Sequence, residues 1–214
     1  MLKSKVEEVR QALPAARLYW LTPDWEPQRM VPLADRVLEA GIDMLQLRHK
    51  SLERGELLAA AYNLASRCHA AGSLFIVNDH LGIALLSSAD GVHLGPDDLR
   101  VESARRVAGS ELLIGASAST PAAAVAAVES GADYIGAGPA FATPVKSEKR
   151  VIGPAGVAAV AAAVHVPVFA IGGIDATNVD DLRTVGVDRV CVIRGIADAE
   201  DPAAAVRELR QKLR

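Results

Sequence analysis

Apolar runs of four to six residues alternate with longer stretches of helical character along the chain. The runs are "LYWLT" at 18–22, "DMLQLR" at 43–48, "LFIVN" at 74–78, "GVHL" at 91–94, "LLIGA" at 112–116, "YIGAG" at 134–138, "VFAIG" at 168–172 and "RVCVI" at 189–193. Between them lie "LADRVLEAG" (33–41), "GELLAAAYNLASRCHAAG" (55–72), "PAAAVAAVESG" (121–131) and "GPAGVAAVAAAV" (153–164), and "PAAAVRELRQKLR" closes the chain. Several of these open on Pro, which suits a first helical turn, and several close on Gly, which suits a left-handed terminus. Strand-length runs separated by helix-length segments are the signature of parallel βαβ units.

Eight such units in 214 residues predict an α/β fold, a small (β/α)8 TIM barrel with an extra N-terminal helix, as one domain over 1–214. The alternative is an open doubly wound sheet. That arrangement normally has fewer units and a G-x-G-x-x-G turn after its first strand, and no such turn follows "LYWLT". The Ala-rich helices read as close packing against the barrel.

Composition narrows the function classes. A hydrophobic content of 50% suffices for a sizeable core, and a formal net charge of -3 argues against an extended nucleic-acid or membrane footprint. Small molecules are the expected partners, and the sequence leaves a homo-oligomer open. Cys68 and Cys191 share no C-x-x-C spacing, which argues against a disulfide framework or zinc site and points to a reducing cytosol. The first ten residues, "MLKSKVEEVR", are charged throughout, and no stretch has the length of a membrane span. A soluble, cytoplasmic protein is expected.

In a barrel of this kind active sites sit at the C-terminal ends of the strands. Gln46, Arg48 and Lys50 of "QLRHK" alternate along the end of strand two and so share one side. Strand three ends in Asn78 and Asp79, and strand four runs through "GVHLGPDD" into Asp97 and Asp98. Strand five leads to Ser117 and Ser119, and strand six to "GAGPAFATPVK" with Thr143 and Lys146. Gly172 and Gly173 follow strand seven, and Arg194 and Gly195 follow strand eight. Glycines after strands seven and eight suit a cup of backbone N–H groups for phosphate.

Arg48, Lys50 and Lys146 are either solvated charges or parts of an anion site, and their common placement at strand ends favours the latter. Asp79 and Asp98 either cap the helices after them or hold a Mg2+ that bridges to phosphate. The second reading accounts for both acids at once. His93 reads as an interior residue of strand four, while His49 and His80 stand beside the rim. No Ser-His-Asp order and no metal-type His pair is present. The polar connection 142–150 has the length of a binding loop or lid.

"QLRHK", "VNDH", "GVHLGPDD", "GASAS", "GADYIGAGPAFATPVK" and "AIGGI", in that order, resemble the thiamin phosphate synthase (thiamin-phosphate pyrophosphorylase) family from about Leu18 to the C-terminus. The resemblance implies a (β/α)8 barrel transferase that joins hydroxymethylpyrimidine diphosphate to a thiazole phosphate, forming thiamin phosphate and pyrophosphate. It implies that Gln46, Arg48 and Lys50, with Asn78, Ser117 and Lys146, hold the pyrimidine diphosphate. Arg48, Lys50 and Lys146 would assist its departure, and Asp79 and Asp98 would be the Mg2+ ligands. Thr143, Gly173 and the backbone at Ile193 and Arg194 match the surroundings of the thiazole phosphate.

Two positions depart from the family. Val145 stands where a second hydroxyl is expected, and Arg194 replaces a frequent Ser, either adding a phosphate contact or obstructing the cup. Two rival functions remain at this point. One is a thiazole tautomerase, which resembles this family but relies on a His where Ser119 stands. The other is a non-catalytic protein that binds thiazole or thiamin phosphate.

Overall fold

The eight apolar runs form a closed parallel barrel in a computed structural model, which describes residues 2–143 and 150–214. The strands are β1 Leu18–Leu21, β2 Met44–Leu47, β3 Leu74–Asn78, β4 Gly91–Leu94, β5 Leu113–Ala118, β6 Tyr134–Ala137, β7 Val168–Ile171 and β8 Val190–Val192. They stand in sequence order, and β1 closes on β8 through Leu18↔Val190, Tyr19↔Cys191 and Trp20↔Val192. The helices are α1 Leu2–Ala12, α2 Pro27–Glu39, α3 Arg54–Ala71, α4 Leu81–Leu86, α5 Val101–Ala108, α6 Pro121–Glu129, α7 Gly153–Ala162, α8 Val179–Thr184, α9 Arg194–Ala197 and α10 Pro202–Lys212.

Alternation along each strand sorts the apolar residues into two cores. Trp20, Leu45, Phe75, Val77, Ile114, Ile135, Ala170 and Val192 face outward and are covered by the helices. Tyr19, Leu21, Met44, Leu74, Ile76, Leu113, Tyr134, Phe169 and Cys191 fill the inside. Leu13 and Ala16, just after α1, join this inner cluster, with Val9 packed against it. The extra N-terminal helix therefore leads into a plug at the end of the barrel where the strands begin.

The same end carries a recurring device. Each even-numbered strand is preceded by a left-handed residue, a buried apolar residue and an aspartate: Gly41-Ile42-Asp43, Ser88-Ala89-Asp90, Gly131-Ala132-Asp133 and Gly186-Val187-Asp188. The left-handed φ values, 93°, 58°, 103° and 80°, let the chain leave a helix and turn at once into a strand. Asp43 then accepts from the N–H groups of Arg17 and Leu18 at 2.9 Å, Asp90 from Phe75 N–H at 2.8 Å and Asp133 from Ile114 N–H at 2.8 Å. These carboxylates satisfy N–H groups at or beside the start of the preceding strand, which burial would otherwise leave without a partner. Each also meets a cationic or imidazole side chain: Arg210 on Asp43, His69 on Asp90, Arg105 on Asp133, and Arg17 and Arg189 on Asp188.

The Asp90 side chain is only 2% exposed. Asp90→Ala leaves Phe75 N–H and His69 without their acceptor. It is expected to lower unfolding stability by about 2–3 kcal/mol, the cost of orphaning buried donors, as measured by urea titration.

Element ends differ from the sequence expectation in understandable ways. β2 stops at Leu47, so Arg48 lies beyond the strand and the two-residue alternation does not carry on to it or to Lys50. α2 starts at Pro27 rather than after Pro32, which is accommodated inside the helix. The six-residue α4 and α8 are too short to show a helical period.

Candidate functional site

Two adjoining cavities open where the strands end. The first, about 630 Å³, lies over β5 and β6 and is lined by Ser117, Ser119, Thr120, Thr143 and Arg150 among others. The second, about 320 Å³, lies over β7 and β8 and is lined by Gly173, Ile193, Arg194 and Gly195. Thr143, Ile171 and Gly172 line both cavities. A third hollow of about 330 Å³ brings Asp98 beside Ser117 and Pro96.

The second cavity owes its shape to glycine. Gly173 has φ +65°, and a Cβ there would lie 2.4 Å from the Ala142 carbonyl oxygen; one on Gly195 would lie 2.6 Å from that of Ile174. The Asn178 amide donates to Gly173 O at 2.8 Å and holds the turn. The short α9 follows β8 directly, the position at which barrels commonly place a phosphate-binding turn. The Arg194 Nε donates to Asp198 at 2.6 Å, and both members of this exposed pair line the cavity.

The β1, β2 and β3 ends form the opposite part of the rim. The Thr22 hydroxyl accepts from Arg48 N–H at 2.9 Å and is bonded back to Arg48 O, pinning β1 to the residue after β2. Asp24 accepts from the Arg48 guanidinium at 3.1 Å and from Lys50 N–H at 2.7 Å. Arg48 is thereby held against the rim, with its side chain 11% exposed.

Asn78 ends β3 half-buried. Asp79 follows in the left-handed region at φ +62°, its N–H donating to His93 O at 2.8 Å. The Asp98 carboxylate is oriented by Gly95 N–H at 2.7 Å. His80 lies against the Arg54 guanidinium at 2.6 Å; burial and that cation hold its imidazole below the ordinary range, against a smaller opposing pull from Asp98.

Sequence reasoning placed Gln46 on the rim beside the two cations. It is instead enclosed inside the barrel, 1% exposed, with Nε2 on the Tyr19 hydroxyl and no partner for Oε1 among the described residues. Tyr19 Oη meets Tyr134 Oη at 3.0 Å, Tyr134 Oη meets His93 Nδ1 at 3.3 Å, and His93 Nε2 meets Ser117 Oγ at 3.0 Å. Burial above all pushes both phenols upward, so they stay protonated far into alkali.

The structure thus gathers Ser117, Thr143, Gly173, Ile193 and Arg194 on two joined cavities and Asp98 on the third. Arg48, Lys50, Asn78 and Asp79 stand at the neighbouring strand ends, outside those three linings. Val145 and Lys146 lie outside the described residues. Arg150, which sequence reasoning passed over, lines the first cavity. Its place at the far end of the 142–150 connection was the available signal.

A (β/α)8 barrel with joined cavities at the C-terminal ends of its strands is the architecture of barrel enzymes. The family model for thiamine monophosphate synthase matches residues 18–196, and the chain belongs to that family. A thiamine-phosphate synthase of Synechococcus sp. (strain WH7803) is 43% identical over 203 residues, 94% of this chain and 58% of that protein. The chain thus spans under two thirds of that relative's length. One of Haloquadratum walsbyi is 41% identical over 181 residues, 83% of this chain and 81% of its own. The solved thiamine phosphate pyrophosphorylase of Pyrococcus furiosus superposes with a TM-score of 0.85 at 35% identity, covering 96% of this chain and 97% of that one.

Proposed function

We propose that the chain joins hydroxymethylpyrimidine diphosphate to thiazole phosphate, giving thiamin phosphate and pyrophosphate. The observation that carries this reading is the pair of cavities sharing Thr143, Ile171 and Gly172. A condensation needs two bound reactants that meet at one edge, and the family relationship supplies their chemistry.

The pyrimidine diphosphate lies toward Arg48, Lys50, Asn78, Ser117 and Lys146. The thiazole phosphate takes the glycine cup with Thr143, Gly173 and the backbone at Ile193 and Arg194. No nucleophilic side chain is required. The carbon–oxygen bond to the diphosphate breaks with its electron pair leaving on pyrophosphate, and the thiazole nitrogen's lone pair closes the new carbon–nitrogen bond. Arg48, Lys50 and Lys146 neutralise the charge that grows on the leaving oxygen, which makes catalysis a matter of placement and electrostatics.

Asp79 and Asp98 would hold the Mg2+ as a pair of carboxylates that substrate phosphates complete. Among the described residues no group of three or more His, Cys, Asp or Glu forms a self-sufficient cage. Mg2+ commonly takes only one or two carboxylates alongside substrate phosphates, and Gly95 N–H already orients one of this pair. Held there, the ion would supply further charge neutralisation to the leaving diphosphate. The setting is a reducing cytosol, in keeping with two buried, unbridged cysteines. No helix among the described residues is long and apolar enough to cross a membrane.

The deciding experiment mixes purified protein with both phosphorylated precursors and Mg2+ and measures thiamin phosphate and pyrophosphate. Absence of both products from folded protein refutes the reading. Arg194→Ser is expected to change KM for the thiazole phosphate by less than about threefold, because the guanidinium is engaged by Asp198 in an exposed pair of small worth. A larger rise assigns the side chain to the phosphate.

A further inference from the structure

Gln46, Tyr19, Tyr134, His93 and Ser117 come from β2, β1, β6, β4 and β5, yet their polar atoms form one unbroken line across the barrel interior. Room for it is made by two glycines. A Cβ on Gly115 would lie 2.1 Å from Tyr134 Cζ and 2.6 Å from His93 Nδ1, and one on Gly136 would lie 3.1 Å from His93 Cε1. Glycine weakens a strand interior unless something must approach closely, and here the approaching groups are Tyr134 and His93, the third and fourth members of the line.

A phenol owns one hydroxyl proton and a neutral imidazole one N–H, so a line in which each of these protons finds its partner runs in a single direction throughout. Gln46 Nε2 donates to Tyr19 and leaves Oε1 partnerless. Turning the amide round would put two N–H groups in that partnerless place, and a buried N–H is orphaned less often than a carbonyl is under-used. Tyr19 therefore donates to Tyr134 and Tyr134 to His93 Nδ1. His93 in turn donates from Nε2 to Ser117.

We infer that Tyr134 and His93 are positioning residues: they hold His93 as its Nε2–H tautomer, so that Ser117 Oγ accepts from the protein and turns its own proton out into the cavity toward an anionic substrate. What Ser117 meets rests on the synthase reading. The direction of the line does not.

Nitrogen-15 NMR of the histidines in the intact protein, with His93→Gln to assign the signals, reads the tautomer without any turnover. Wild type is expected to show a protonated Nε2 and a bare Nδ1 at neutral pH. Tyr134→Phe keeps the ring and removes the donor to Nδ1. It is expected to turn the single tautomer into a mixture and to lower kcat/KM for the pyrimidine diphosphate roughly tenfold, about one hydrogen bond's worth. A protonated Nδ1 in wild type overturns the inference, and so does full turnover in Tyr134→Phe. A wild-type protein that makes no thiamin phosphate yet shows the Nε2–H tautomer refutes the synthase reading and leaves the direction of the line standing.

Discussion

Asp79→Asn is expected to reduce turnover at least about 100-fold while leaving the barrel folded. The backbone there sits at φ +62°, a conformation that asparagine tolerates as well as aspartate does, so the amide replaces the acid without a new backbone cost. The N–H bond to His93 O belongs to the main chain and survives the exchange. The exchange removes the carboxylate's negative charge. Metal-ion stabilisation of a leaving group is worth several kcal/mol, and each 1.36 kcal/mol is a factor of ten in rate. Steady-state rates across a Mg2+ titration, with circular dichroism to confirm the fold, make the measurement; wild-type turnover at ordinary Mg2+ would remove Asp79 from the site. Alanine is a poorer test, because it confounds charge with strain.

Gly115→Val is expected to lower the melting midpoint by roughly 6–12 °C and to abolish most activity. The Cβ alone would lie 2.1 Å from Tyr134 Cζ and 2.4 Å from its Oη, well inside contact distance. Tyr134 cannot withdraw, being fully buried and packed edge-on to Tyr19 and Phe169 with ring centroids 6.0 and 5.8 Å away. Overpacking of this kind costs about 3 kcal/mol, and in a domain of this size each kcal/mol moves the midpoint by about 2–4 °C. Gly55→Ala, at the exposed start of α3 with nothing within 4 Å of the new carbon, is the control and should not lower the midpoint. Equal losses in the two variants would mean that the crowding at Gly115 is relieved elsewhere.

The strands were legible because each buries both faces. "LFIVN" and "GVHL" match β3 and β4 residue for residue. The glycines after β7 and β8 were legible as a cup because barrel topology places them together. The placement of Arg48 and Lys50 was not, since β2 ends at Leu47 and both residues are fastened beyond it by Thr22 and Asp24 from the neighbouring connection. The line from Gln46 to Ser117 could not be read either. It pairs residues up to 115 positions apart and exists only once β1, β2, β4, β5 and β6 share one register. The glycine-apolar-aspartate signature before the even strands was present in the sequence, masked by Ser88 standing where the others have Gly.

That signature also separates what the two ends of the barrel can tolerate. The strand starts are fastened by carboxylates and stoppered by Leu13 and Ala16, while the cavities lie at the opposite ends. Substitutions around Ser119, Thr143 or Arg150 leave every one of those fastenings untouched. Selection acting on the cavities therefore has a whole mouth to vary on a frame that does not loosen, and its failures should surface as inactive barrels rather than as unfolded ones.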